Sequence, residues 1–132
     1  MKKVLFIASE CVPFIKTGGL ADVVGSLPKC FDKKYFDVRV ILPKYMCMKE
    51  EFKSKLEYIT HFYMDLGWRS QYVGVLGMNY DGIQYYFIDN EFYFAGPKPY
   101  GNIYEDIEKF AFFSKAALSI LPDINFRPDI IH

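Results

Sequence analysis

The spacing of apolar and polar residues changes character along this chain, and the change divides it into three stretches. Residues 3–9, centred on Val4-Leu5-Phe6-Ile7-Ala8, are apolar without alternation, as expected of a parallel strand covered on both faces. Leu20, Val23, Val24 and Leu27 recur at helical spacing and predict a helix over about 20–31, with Pro28 kinking or ending it. Asp37 to Leu42 reads as a second strand, closed by Pro43. Strand, helix and strand in this order make a right-handed βαβ unit.

From Glu57 to Asp89 the residues become rich in β-branched and aromatic types. The runs 58–64, 71–76 and 83–88 read as strands, and Asp81-Gly82 carries hairpin-turn chemistry between the last two. These predict a mostly antiparallel group added to the parallel core. Residues 90–102 form a loop rich in Gly and Pro. Asn102 and Glu105 then have capping-box spacing for a helix. Its apolar stripe is Ile107, Phe110, Ala111, Ala117, Leu118 and Leu121, with Phe112, Phe113 and Ile120 beside it. The second half is apolar nearly all round, which predicts deep burial. Pro122 stops this helix, and a last strand over 128–132 ends at His132. The fold class is therefore α/β: one domain over 1–132, with a Rossmann-like parallel core near 3–9, 37–42 and 128–132 and an added antiparallel strand group.

Composition narrows the possibilities. The 132 residues suffice for one core. Lys plus Arg and Asp plus Glu both total 16, so no basic excess points to nucleic acid or to an anionic membrane. The first apolar run is shorter than the roughly 7–15 residues of a signal-peptide core. No stretch approaches the roughly 20 apolar residues of a membrane span. Thirteen Phe and eleven Tyr imply a thick aromatic core, apolar surface meant for a partner domain, or both. Cys11, Cys30 and Cys47 lack metal-ligand or redox spacing and read as small hydrophobes, although Cys11 lies near enough to the glycine loop to leave a catalytic thiol open. His61 and His132 are far apart and no H-E-x-x-H occurs, so neither metal nor cofactor is expected.

The candidate chemistry lies in Lys16-Thr17-Gly18-Gly19-Leu20-Ala21-Asp22, between the first strand and the first helix. Gly18 and Gly19 permit close backbone approach to a ligand, the helix start attracts anions, and Lys16 adds an ammonium. The duller reading is a surface lysine beside a helix-start turn. The string is neither G-x-G-x-x-G nor a Walker A loop. Asp22 in the first helical turn stabilises the helix dipole. Glu10 follows the first strand, where open α/β sheets bind ligands. His61, amid alternating strand residues, is read as solvent-facing.

Glu10 with Pro13, the run Lys16 to Gly25, Leu27-Pro28, Pro43-Lys44-Tyr45, Gly96 to Gly101, Glu108 to Ala116 and Pro128 to His132 together resemble bacterial glycogen synthases and plastid starch synthases. The resemblance implies a retaining glycosyltransferase of two Rossmann-like domains, moving glucose from ADP-glucose to the non-reducing end of an α-1,4-glucan. This chain then corresponds to the N-terminal, acceptor-side domain of a longer bacterial cytoplasmic enzyme. ADP-glucose is a substrate and not a cofactor, and the partners are the glucan and a C-terminal domain. Lys16, Gly18 and Gly19 would meet the diphosphate. Glu10, Asp22, Tyr100 and His132 would face sugar or acceptor, although a turn tyrosine capping the core suits Tyr100 equally. The family's main catalytic histidine and the acidic residue near the leaving group lie beyond this chain, and the second domain supplies most nucleotide contacts, so the fragment alone is expected to be inactive. Many relatives carry Lys-Arg or Asp-Arg where this chain has Ala95-Gly96. The alternative readings are a stand-alone nucleotide- or phosphate-binding domain without catalysis, and an aromatic protein-interaction module.

Overall fold

A computed structural model describes all of residues 1–132. The elements are β1 (Lys2–Ile7), α1 (Gly19–Ser26) followed by a 3₁₀ turn (Leu27–Cys30), β2 (Phe36–Pro43), α2 (Glu50–Lys53), β3 (Glu57–Leu66), β4 (Arg69–Tyr80), β5 (Ile83–Asp89), α3 (Glu91–Phe94), α4 (Ile103–Ser119) and β6 (Ile130–Ile131). All six strands join one sheet in the order β3-β4-β5-β2-β1-β6. β1 runs parallel to both β2 and β6, as the apolar runs predict. The stretch 57–89 departs from expectation at one strand. β5 pairs antiparallel with β4 but parallel with β2, so it belongs to the core as well as to the appended group. Its run Tyr85-Tyr86-Phe87-Ile88 is apolar on both sides because both faces are covered. The hairpin joining it to β4 turns through Asp81 and Gly82, both at positive φ.

Two cores flank the sheet. On one face Phe112, Phe113, Ala116 and Ala117 of α4, with Ile120 just after it, pack against Leu5, Ile41, Val73, Val75 and Ile88. On the other, Val24 of α1 and Phe52 of α2 join Val40, Leu42, Tyr85 and Phe87. Phe14 is the hub there. Its ring meets those of Phe52, Tyr80, Tyr85 and Phe87 edge-on, with centroids 4.8–5.4 Å apart.

Both helices bury faces other than those the periodicity selects. α1 buries Ala21, Val24 and Gly25, leaving Leu20, Val23 and Leu27 exposed. α4 buries the stripe Lys109, Phe112, Phe113, Ala116, Ala117 and Ile120, and exposes Ile103, Tyr104, Ile107 and Leu118. The expected deep burial of α4 is thus corrected to one face. The reason is that each helix has two apolar sides and the sheet covers only one, while Lys109 disguises the true stripe. Both readings of the aromatic-rich composition hold together: a dense core, and apolar surface left bare.

Gly25 is what lets α1 approach the loop after β1. A Cβ there would stand 2.3 Å from Val12 Cγ2 and 2.8 Å from the Val12 carbonyl oxygen. Gly25→Ala gains about 1 kcal/mol of helix propensity. It also incurs an overpacking cost of about 1–3 kcal/mol. Because one of the clashing atoms is backbone, net destabilisation is expected, read as a lower denaturant midpoint. A midpoint at or above the parent's would show that the contact relaxes freely.

Candidate functional site

The chain passes from β1 to β2 on one side, and β6 adds on the other side of β1. This reversal places the topological switch point between β1 and β6, and ligands of open α/β sheets bind outside the carboxyl ends of strands at such a point. Five of the sequence candidates lie there. The loop after β1 carries Glu10 and Lys16 to Gly19. His132 continues β6, donating its amide to the Leu5 carbonyl at 2.8 Å, with its exposed ring edge-on to Phe6. The loops after β2 and β5, the latter with Tyr100, open at the same edge.

Glu10 is the organising residue of this edge. Its side chain is only 2% exposed and has no ionic partner. One oxygen accepts from the amides of Gly18 at 3.0 Å and Ala21 at 3.3 Å. The other accepts from the Thr17 hydroxyl and, at 2.9 Å, from the Tyr100 hydroxyl. Gly18 caps α1 with no side chain of its own, so the Glu10 carboxylate supplies the missing cap from outside the helix. Burial alone would raise the Glu10 pKa. The hydrogen bonds from Thr17, Tyr100 and Gly18 outweigh it and hold the carboxyl below its ordinary value.

The glycine pair is not required by the fold. Gly18 is extended, at φ −161°, a conformation open to any residue. A Cβ at Gly18 or Gly19 would meet nothing within 4 Å. The Gly18 amide is already committed to Glu10, contrary to its expected place in a phosphate seat, whereas those of Gly19 and Leu20 have no partner within the chain. Lys16 is half exposed and ion-paired to both oxygens of Asp22, at 3.0 and 2.9 Å. The sequence assigns Asp22 to the helix dipole and, through the resemblance, to sugar, and does not foresee this partnership.

Tyr100 caps the core from its turn. Its ring leans on Phe110, its hydroxyl bonds both Glu10 and Ser9, and the residue stays 37% exposed. Buried Lys109 fixes the loop carrying it, donating to the Pro99 carbonyl at 2.9 Å. Asn102 caps α4 as predicted, but Asp106, not Glu105, reaches back, accepting from the Gly101 amide at 3.0 Å. Tyr45 donates to the Ser9 carbonyl at 2.7 Å, clamping the loop after β1 from the β2 side. Lys109 and Tyr45 belong to strings that carry the resemblance, but the sequence assigns them no role because a lysine beside an apolar stripe and a tyrosine after a strand both look like surface. Cys11 is buried, and desolvation pushes its thiol up to about 12, which removes it as a nucleophile. A cavity of about 340 Å³ opens at the opposite edge of the sheet and shares no residue with the glycine loop.

These features define a doubly wound α/β domain whose glycine loop, locked from beneath, opens at the switch point. More narrowly, the chain belongs to the starch synthase catalytic domain family, which matches residues 3–132. It is 72% identical over 132 residues to the glycogen synthase of Lachnoclostridium phytofermentans and 70% identical to that of Lachnospira eligens, covering all of this chain and 28% of each relative. Identity to the glycogen synthase of Geobacillus thermodenitrificans is 52% over 130 residues, 98% of this chain and 27% of that protein. The catalytic domain of starch synthase IV from Arabidopsis thaliana, bound to ADP and acarbose, superposes with a TM-score of 0.85 at 31% identity, over 99% of this chain and 27% of that one. The chain thus spans little more than a quarter of the length of these relatives. No helix in it is long and apolar enough to cross a membrane.

Replacing Glu10 by Leu, similar in size, leaves the buried amide of Ala21 and three further donors without their acceptor. A loss of about 2–4 kcal/mol of stability is expected. Glu10→Gln tests the charge. Because the folded-state pKa lies below the ordinary 4.5, the stabilising contribution is fully present above that value and is lost as pH falls through the folded-state value. Unfolding midpoints measured from pH 6 down to pH 3 are expected to fall less steeply in Glu10→Gln than in the parent. Equal slopes would assign the acid sensitivity to other carboxylates.

Proposed function

We propose that the whole protein is a glycogen or starch synthase that transfers glucose from ADP-glucose to the non-reducing end of an α-1,4-glucan. In this reading the present chain supplies the acceptor-side wall of the cleft, and the remaining length typical of the relatives supplies the second domain. The observation that carries the reading is the glycine pair. The fold itself has room for side chains at both positions, so the demand for glycine comes from a ligand that approaches the backbone. The free amides of Gly19 and Leu20, the α1 dipole and Lys16 all favour an anion at that spot. The similarity to glycogen synthases, and to a starch synthase bound to ADP and acarbose, supports a nucleotide diphosphate and a glycan as its ligands.

When the bond to glucose breaks, negative charge grows on the departing diphosphate. An ammonium at Lys16 and fixed amides beside it stabilise that charge more in the transition state than in the ground state. The exposed pair with Asp22 is worth only about 0–1 kcal/mol, so it opens readily to let Lys16 serve. Asp22, Tyr100 and His132 remain as the groups for sugar hydroxyls and faces. Glu10 acts on the same cleft as a positioning residue, since its oxygens are already taken. A stand-alone phosphate-binding domain without catalysis is the alternative that the same loop allows.

Lys16→Ala in the full-length protein separates these readings. The side chain is half exposed and leaves no core cavity, so stability is expected to change by less than about 0.5 kcal/mol. Loss of one preorganised charge lowers kcat by roughly a hundred- to a thousandfold. This is measured as ADP release from ADP-glucose with glycogen, alongside a thermal melt. Near-normal kcat in a folded variant would remove Lys16 from the reaction. Residues 1–132 alone are expected to release no ADP.

A further inference from the structure

At the edge of the sheet opposite the glycine loop, β2 begins before the strand beside it. It pairs with β1 from Phe36 onward but with β5 only from Arg39 onward. Residues 36–38 therefore have no strand on their β5 side. The cavity of about 340 Å³ at this edge occupies that gap. Phe36 to Arg39 form one wall, and Asn79 with Gly82 to Gln84 form the other. Phe31, just after the 3₁₀ turn, closes it from the α1 side.

Two cations line the cavity, and each is held in place by a different means. Arg39 gives Nε and Nη2 to the two carboxylate oxygens of Asp37, at 3.1 and 3.0 Å, and Nη1 to the Tyr86 hydroxyl at 2.8 Å. The guanidinium is thus fixed, with two of its N–H donors still free. Lys33 lies across the turn between β4 and β5. A Cβ at Gly82 would stand 1.9 Å from Lys33 Nζ, so the ammonium rests over the bare glycine. Asp81 beside it is already paired with Lys29 at 2.8 Å, and Lys33 has no ion pair of its own. Among the charged side chains lining the cavity, Lys33 and Arg39 outnumber Asp37 by one. The charge favours an anion.

The remaining walls ask for more than a bare anion. Phe31 and Phe36, both half-buried, meet edge-on with centroids 5.2 Å apart and give the cavity an aromatic floor. Gln84 donates Nε2 to the Tyr85 carbonyl at 3.1 Å, which leaves its Oε1 unused. The Asn79 carboxamide lines the same wall. We propose that this cavity binds a nucleoside monophosphate. Lys33 and Arg39 take the phosphate, the phenylalanine rings take the base, and the two carboxamides meet its polar edge. One surplus charge suits a single phosphate group, and the volume suits one such molecule. α1 and its 3₁₀ turn separate the cavity from the glycine loop by about 20 Å end to end, so one ligand does not fill both. The site stands whether or not the whole protein is a synthase.

The test titrates adenosine monophosphate into the full-length protein by calorimetry and locates it by amide hydrogen exchange. Protection is expected over residues 28–39 and 79–86. Lys33→Gln removes one charge from an exposed side chain, so folding is expected to survive and affinity to fall about tenfold. Lys34→Gln makes the same charge change one residue on, outside the cavity, and is expected to leave affinity within about twofold. Adenosine and inorganic phosphate, each lacking half of the ligand, are expected to bind at least about tenfold more weakly. Protection over 16–22 as well still supports the site if Lys33→Gln removes only the part over 28–39. Protection confined to 16–22 overturns it, because the nucleotide then occupies the cleft alone. Equal losses in Lys33→Gln and Lys34→Gln overturn it in favour of diffuse surface charge. Adenosine or phosphate binding as tightly as the whole nucleotide overturns it, as does no binding at millimolar concentration.

Discussion

A carboxylate buried without a cation is costly unless donors saturate it, and the site described here hangs on one such group. Glu10 gathers donors from the glycine loop, from the third residue of α1 and from the loop before α4, segments up to 90 residues apart in sequence. Each of those donors would otherwise be an unpaired amide or hydroxyl at a strand-to-helix turn. The arrangement is cooperative, because no single member can leave without orphaning another. It also joins the two loops most exposed to a ligand into one unit. Displacement of Tyr100 is felt at Gly18 through one shared carboxylate, and a ligand binding either loop meets a surface that is already set.

The parts of this that were legible in the sequence are those governed by local rules. Uninterrupted apolar runs found β1 and β2, Asp81-Gly82 found the turn, and Asn102 found the start of α4. The glycine loop was visible because glycine between a strand and a helix is rarely idle. What could not be read is which neighbour covers which side. β5 looks like its antiparallel neighbours because strand direction leaves no trace in side-chain period. The stripes of α1 and α4 were misplaced because Leu20, Val23, Leu27 and Ile107 suit a buried face equally well. Glu10 is legible as a candidate at the end of the first strand, but its hydrogen-bond partners are not. A lone acid after a strand carries no mark of the four donors that the fold brings to it.

The bare apolar faces have a physical consequence. Leu20 and Val23 on α1, Leu27 at the start of the 3₁₀ turn, Ile130 and Ile131 on β6, and Ile103, Tyr104 and Ile107 on α4 all keep large exposed fractions. Scattered apolar side chains are ordinary on protein surfaces, but helical stripes of them are not. Relatives more than three times as long as this chain offer one cover for such faces, which the synthase reading assigns to the rest of the enzyme.

The Lys16–Asp22 pair bears on how the proposed diphosphate site behaves when no ligand is bound. An unpaired lysine at a helix start would sit against the positive end of α1, a mildly unfavourable arrangement. Asp22 lies in the first turn of that helix, where its own charge is favoured, and takes up the ammonium at 2.9 Å. With both partners half exposed, the pair is worth no more than about 1 kcal/mol. A diphosphate carries more charge than one carboxylate and also meets the amides of Gly19 and Leu20, so it outcompetes Asp22 for Lys16. In the proposed site that exchange would free Asp22 as an acceptor for a sugar hydroxyl. On the proposed reading, the same aspartate keeps the lysine oriented at rest and changes partner on binding, at a cost of no more than about 1 kcal/mol.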